Sequence, residues 1–239
     1  MDDWYLHDVP RLISETDRLY ARISERYPDR TKGSVTKQRT VEERQWGPTV
    51  ASYEARFEAE MAKLGMFYVP KAMIPGPAFV FPLRDVDDTL PCAQVKPLEG
   101  SILAKDRYHF IGSSLIGPRW IGNDRETLRL VVETHSVMCV EGPFDLLAMR
   151  LAMPGYPFMG ILTNALGKRH VAYLRILGVK KLFLMYDNEG KPEGNAVLGH
   201  IKDLAVSEHI CPSKDPSDAL KDEGSMRTLI SRVKPIFRY

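Results

Sequence analysis

Cysteine is scarce in this sequence and does not cluster. Cys92, Cys139 and Cys211 stand far apart, with no Cys-x-x-Cys spacing. Three isolated thiols exclude a zinc ribbon within the chain and argue against a disulfide scaffold. Cys139 lies in an apolar run and reads as a small core residue. The histidines, at positions 7, 109, 135, 170, 200 and 209, are scattered without metal-ligand spacing and read as surface or packing residues. No apolar run approaches a membrane span, and the first residues, Met-Asp-Asp-Trp-Tyr, lack the apolar core of a signal peptide. The expectation is a cytoplasmic protein of a reducing compartment with no membrane partner. There is no Gly-x-x-x-x-Gly-Lys-Ser/Thr phosphate loop, so no ATPase motor is encoded here. No Ser-His-Asp or Cys-His arrangement suggests nucleophilic hydrolysis. Charge of one sign is lacking too: the net value is +2, which neither demands nor excludes a nucleic-acid partner.

What is present is an ordinary globular composition, 44% hydrophobic and 27% charged over 239 residues, enough for one large or two small cores. Leu12, Thr16, Leu19, Tyr20, Ile23 and Tyr27 recur at helical spacing. A second helix is expected at about 50–65, with Tyr53, Phe57, Met61 and Leu64 as its stripe and Gly65 as its cap. Between them, the segment from Arg30 to Arg39 is basic and poor in apolar residues. It reads as an exposed loop, either a phosphate-contacting arm through Lys32, Lys37 and Arg39 or a solvated connection. From about 67 to 126, short strand-like runs (Phe67 to Pro70, Ala78 to Pro82, Tyr108 to Ile111) are broken by Pro and Gly, with a turn at Asp85–Asp88.

From about 127 strands and helices alternate. Strands are expected at Ser136–Val140, Phe158–Leu162 and Lys181–Tyr186. Helices are expected around Leu146, Leu147, Arg150 and Leu151, around Val171, Leu174 and Leu177 up to Gly178, and from Val197 to Leu204. A last helix is expected over about 225–234, with Ser225 as its cap. This alternation predicts an α/β fold with a parallel sheet covered on both faces. The expected division is an N-terminal helical region over 1–66, a small mixed α+β subdomain over 67–126, the α/β domain over 127–221 and a C-terminal helix or tail over 222–239.

Carboxylates end two of the strands. The first runs into Glu141-Gly142-Pro143-Phe144-Asp145, the third into Asp187-Asn188-Glu189-Gly190. In a parallel α/β sheet functional groups gather at the carboxyl ends of strands, so both acidic pairs would meet in one crevice. Like charges so close raise one another's pKa, and a divalent cation would offset them. Mg²⁺ takes oxygen ligands and retains waters and substrate phosphates, which points to phosphoryl transfer. A third acidic element, Lys214-Asp215-Pro216-Ser217-Asp218, either extends the cluster or starts a helix. Trp4, Trp46 and Trp120 are read as packing residues before base-stacking ones.

Val140-Glu141-Gly142-Pro143-Phe144-Asp145, then Tyr186-Asp187-Asn188-Glu189-Gly190, then Lys214-Asp215-Pro216-Ser217-Asp218 resembles a TOPRIM domain. The order and spacing look most like the DNA primase catalytic core of the bacterial-type superfamily, particularly its phage and mitochondrial primase–helicase branch. Upstream, Phe81-Pro82-Leu83-Arg84-Asp85 is similar to the Phe-Pro-x-Arg-Asp signature of that core, and Lys105 to Trp120 looks like the segment preceding its TOPRIM. The resemblance covers about 67–221.

The resemblance implies short RNA primer synthesis on a single-stranded DNA template from ribonucleoside triphosphates, with Mg²⁺ or Mn²⁺. Glu141, Asp145 and Asp187 would be catalytic. Glu141, Asp187, Glu189, Asp215 and Asp218 would hold or support the metal. Arg84, Lys96, Lys105, Arg107, Arg119 and Lys214 would meet template and nucleotide. Three departures stand out. The usual Asp-x-Asp is Asp187-x-Glu189, the turn after it fits loosely, and the zinc-binding and helicase domains common around such cores have no counterpart. Either template choice would then be supplied by another chain or arm, such as a separate template-recognition protein or a replicative helicase, or sequence specificity is low. The alternatives are a TOPRIM nuclease and a catalytically weak DNA-binding replication module.

Overall fold

The structure is a computed structural model that describes residues 33–46, 53–70, 77–83, 92–99, 108–111, 120–162, 166–189 and 201–237. The elements in chain order are α1 (Gly33–Arg44), α2 (Glu54–Lys63), β1 (Phe67–Val69), β2 (Ala78–Leu83), β3 (Cys92–Pro97), β4 (His109–Ile111), α3 (Arg125–Thr134), β5 (Ser136–Val140), α4 (Pro143–Ala152), β6 (Phe158–Gly160), α5 (Lys168–Ile176), β7 (Lys181–Tyr186), β8 (Ala205–Ile210), α6 (Pro216–Ala219) and α7 (Glu223–Val233), followed by a 3₁₀ turn at Lys234–Phe237. Two four-stranded sheets result: β1-β2-β3-β4, paired antiparallel, and β6-β5-β7-β8, paired parallel. The α/β expectation holds. Among the described residues no helix is long and apolar enough to cross a membrane.

The parallel sheet follows from its sequence. Every residue of β5 is buried, and every residue of β7 after Lys181, as expected of strands covered on both faces. The two-residue period divides them between two cores. Val137, Cys139, Leu182, Leu184 and Tyr186 face the core containing Leu128 of α3 and Val171 and Leu174 of α5. Met138, Val140, Phe183 and Met185 face the core containing α4 and α7. Among the described residues, α4 is buried from Pro143 through Leu151, because a second sheet closes over it. Phe79, Phe81 and Leu83 of β2 belong to the same core, with Trp46, Phe57 and Met61. The Phe144 ring is the junction, edge-on to Phe81 at 5.1 Å, Phe79 at 5.5 Å and Trp46 at 6.3 Å.

The structure corrects four sequence expectations. Residues 33–39, read as loop, are helical in α1. Its inward face carries threonines instead of a leucine stripe: Thr36 and Thr40 are buried, Thr40 Oγ1 donates to the Thr36 carbonyl (2.8 Å), and Thr36 Oγ1 accepts from the Tyr68 amide (3.2 Å). Lys37 and Arg39 lie over the rings of Phe57 and Tyr68, at 6.0 and 5.7 Å from their centroids. Residues 201–204, expected to finish a helix, are not helical and lead into β8, while the rest of that span lies outside the described residues. The last helix starts at Glu223, with Asp222 as its cap: the Asp222 side chain accepts from the Ser225 amide at 2.7 Å, so Ser225 receives the cap. The strand expected over 158–162 ends at Gly160. Elements β3, β8 and α3 had no clear sequence signal, and α3 runs across the division drawn at 126/127. The helix expected around Leu12 to Tyr27 and the turn at Asp85–Asp88 lie outside the described residues.

Candidate active site

β5 delivers Glu141 at its carboxyl end, and the chain turns at once into α4. Pro143 occupies the first helical position, where its missing N–H costs nothing. Asp145, one turn in, reaches back so that its Oδ2 accepts the Gly142 amide at 3.0 Å. A Cβ at position 142 would stand 2.5 Å from that same oxygen, so any larger residue there would displace the Asp145 carboxylate. The other oxygen, Oδ1, accepts the Ser217 amide at 3.1 Å.

Ser217, fully buried, ties three segments together. Its amide serves Asp145, its hydroxyl accepts from Arg44 Nε (2.9 Å), and its carbonyl accepts from Trp46 Nε1 (2.7 Å). Asp215 caps α6 by accepting the Asp218 amide at 2.5 Å. The Asn188 amide donates to the Lys214 carbonyl at 2.7 Å, which fastens the loop after β7 to the Lys214–Asp218 element. Three sequence-distant acidic segments are thus joined, two by a main-chain hydrogen bond and two by the Asp145 side chain on a main-chain amide.

They border a cavity of about 310 Å³. One wall holds Glu141, Asp145, Asp187 and Asp215, and the other holds Arg44, Gln94, Lys96 and Tyr108. The second wall comes from α1, β3 and the residue before β4. Strand alternation turns Gln94 and Lys96 toward the cavity while Ala93 and Val95 enter a separate core with Val69 and Val80. Arg44 lies 5.0 Å from the Phe144 ring centroid, and Lys96 5.3 Å from that of Tyr108.

The carboxylates repel one another. Burial, then the charges of Asp215 and Asp187, push Asp145 up to about 7, against the Ser217 amide and Arg44, which favour its ionised form. Burial, then Glu141, Asp215 and Glu189, push Asp187 up to about 7, with Lys214 opposing. Burial and the neighbouring Asp145 also raise Glu141. Hard carboxylate oxygens with unbalanced negative charge suit a divalent cation in their donor chemistry. Among the described residues no group of three or more His, Cys, Asp or Glu side chains is drawn close enough to hold an ion. The chemistry fits, and the ligand geometry is not assembled in advance.

Of the residues expected from sequence, Glu141, Asp145, Asp187, Asp215 and Lys96 meet in this cavity. Glu189 is exposed on the turn after β7 and acts through its charge. Asp218 lies apart, paired with Lys221 at 2.8 Å. Lys214 is exposed and contributes its carbonyl and its charge. Arg84, Lys105, Arg107 and Arg119 lie outside the described residues, as does Trp4. Trp46 and Trp120 are fully buried packing residues. Arg44, Gln94 and Tyr108 were not singled out from sequence. The alternation Ala93-Gln94-Val95-Lys96 was the available signal for Gln94, whereas Arg44 depends on a helix that the sequence does not announce.

This arrangement of an antiparallel sheet beside a parallel one, with carboxylates at the strand ends between them, is the fold of a primase RNA polymerase domain. The chain is similar to the RNA polymerase domain of Mycobacterium tuberculosis primase DnaG, with a TM-score of 0.63 and 17% identity over 93% of this chain and 83% of that one. The same domain has been solved in complex with double-stranded DNA. The Aquifex aeolicus primase fragment with zinc-binding and RNA polymerase domains gives 0.59 and 17%, over 92% and 60% of the two chains. A chain of the bacteriophage T7 assembly of lagging-strand DNA polymerase with primase domains gives 0.50 and 14%, over 74% and 86%. At these identities the likeness establishes the fold. It covers 93% of this chain and so reaches beyond 67–221. No protein-family model and no curated protein matches the sequence.

Proposed function

We propose that this chain is a DNA primase core, a nucleotidyltransferase that joins ribonucleoside triphosphates into short primers on single-stranded DNA. The observation that carries the reading is the cavity itself, with four carboxylates facing Arg44 and Lys96 on a primase RNA polymerase fold. Glu141, Asp187 and Asp215 would hold Mg²⁺ or Mn²⁺, with Glu189 adding negative charge from outside the cavity; the ion when bound supplies positive charge to the transferring phosphoryl group. Glu141, half-buried and raised in pKa, is suited to take a proton from the attacking 3′-hydroxyl. Asp145 gives both oxygens to backbone amides, so its part is to hold the Glu141 turn and the Ser217 turn in register. Arg44 and Lys96 would balance the triphosphate, and Arg84, Lys105, Arg107, Arg119 and Lys214 would guide the template.

In this reading the 67–126 segment supplies Gln94, Lys96 and Tyr108, α1 supplies Arg44, and the 127–221 segment supplies the carboxylates. A replicative helicase or a separate template-recognition protein would choose the start site, in the cytoplasm of a bacterium or a phage-infected cell. The test is incubation with single-stranded DNA, Mg²⁺ or Mn²⁺ and labelled ribonucleotides. Primers are expected, falling at least ~10²-fold with Glu141→Gln or Asp187→Asn. Shortened DNA without extension would replace this reading with a nuclease, and binding without either product with a DNA-binding module.

A further inference from the structure

Gln94 stands out within the cavity. It is 5% exposed, it lines the cavity, and its side-chain Oε1 has no hydrogen-bond partner. A buried amide oxygen left without a donor is unfavourable, because it has given up its bond to water and gained none in return. The backbone leaves it little freedom to escape. Gln94 sits in the middle strand of three, opposite Phe81 of β2 and Phe110 of β4. Its neighbours along the cavity-facing row are Lys96 on the same strand and Phe81 across it, and Phe81 is locked against Phe144. The amide is therefore presented to whatever fills the cavity.

We infer that Gln94 is the residue that recognises a ribose hydroxyl of the bound nucleotide. The inference rests on the nucleotidyltransferase reading and adds which part of the substrate is read. An unpaired carbonyl oxygen requires a donor. Triphosphate oxygens at neutral pH are acceptors, and Arg44 and Lys96 already serve them. Base N–H groups are donors, but they differ among the four bases and are engaged in pairing with a template. The donors common to all four ribonucleotides are the 2′- and 3′-hydroxyls. A hydroxyl both donates and accepts, so it completes the Gln94 amide whichever way its oxygen and nitrogen are turned.

The test compares ATP, 2′-deoxy-ATP and 3′-deoxy-ATP on the intact chain, by equilibrium binding with Mg²⁺ and by incorporation opposite a templating thymine. The wild-type protein is expected to favour ATP over at least one deoxy analogue by about 10-fold or more, because a site built around a hydroxyl penalises its loss. Which analogue suffers identifies the hydroxyl. Gln94→Met keeps the length and apolar contacts of the side chain while removing its polar end. It is expected to weaken ATP and leave the affected analogue unchanged, so that the preference disappears. A wild-type protein indifferent to both analogues overturns the inference without needing any variant. A preference that survives in Gln94→Met assigns the reading to another residue and overturns it as well. Failure to bind or incorporate ATP at all would instead remove the nucleotidyltransferase reading beneath it.

Discussion

Asp145 shows how a single carboxylate can be legible in the sequence while its contacts are not. Its place at the start of a helix after a strand marks it as part of an acidic site. Its two backbone hydrogen bonds, one to a residue 72 positions away, have no sequence signature. Its raised pKa and that of Asp187 have a consequence for stability. An unfolded aspartate ionises near about 4, while both groups are pushed up to about 7 in the fold. Between those values the folded protein holds more protons than the unfolded chain, so stability is highest below the lower value and falls as pH rises through the window. In metal-free buffer the melting temperature is expected to be lower at pH 8 than at pH 5.5. Mg²⁺ should raise it more at pH 8, where the carboxylates are ionised, than at pH 5.5. A scanning fluorimetry series with and without Mg²⁺ measures both; a melting temperature that rises with pH without metal contradicts the mutual repulsion.

At the scale of elements, Arg150 decides how α4 is seated. It lies in an apolar helix and is almost entirely buried, yet it is fully engaged. Nη2 is 2.6 Å from Asp124 Oδ2 and donates to the Gly122 carbonyl and to Thr127 Oγ1, while Nη1 is 3.8 Å from Glu60. Asp124 also caps α3 through the Thr127 amide. One guanidinium thus joins α2, the start of α3 and α4. Arg150→Met is expected to cost about 3–5 kcal/mol, because it leaves the Asp124 charge buried without its partner. Adding Asp124→Asn should recover part of that loss, as read by urea denaturation; additive losses would show that the pair is not coupled. The same scale shows why some elements escaped sequence analysis. α1 buries threonines and lays Lys37 and Arg39 on aromatic rings, so no apolar stripe announces it. β8 is only partly buried, and its strand character comes from pairing with β7 from Lys181↔Ala205 to Tyr186↔Ile210.

For the whole molecule the decisive contact is that of the antiparallel sheet with α4, which lies between the two sheets. Phe144, the second residue of α4, fills the space between β2 and Trp46. Phe144→Ala is expected to lower the unfolding free energy by about 3–5 kcal/mol, because the rings around it cannot close the void. Calorimetry should show this. A loss below about 1 kcal/mol would mean that the sheets do not depend on one another through this ring. The cavity lies along this junction, so its two walls keep their spacing only while the junction is packed.

Sequence by itself determined the parallel α/β unit, the order of β5, α4, β6, α5 and β7, and the carboxylates at the strand ends. These are matters of local periodicity and of residues adjacent in the chain. Only the tertiary structure decided that Glu189 and Asp218 stand outside the cavity while Asp215 lines it. It also decided that Asp145 spends its oxygens on backbone amides, and that Arg44 and Gln94 form the opposite wall. Those outcomes depend on hydrogen bonds and packing between segments far apart in the chain, such as Ser217 with Arg44, Trp46 and Asp145. Neither spacing nor hydrophobic pattern encodes such pairings.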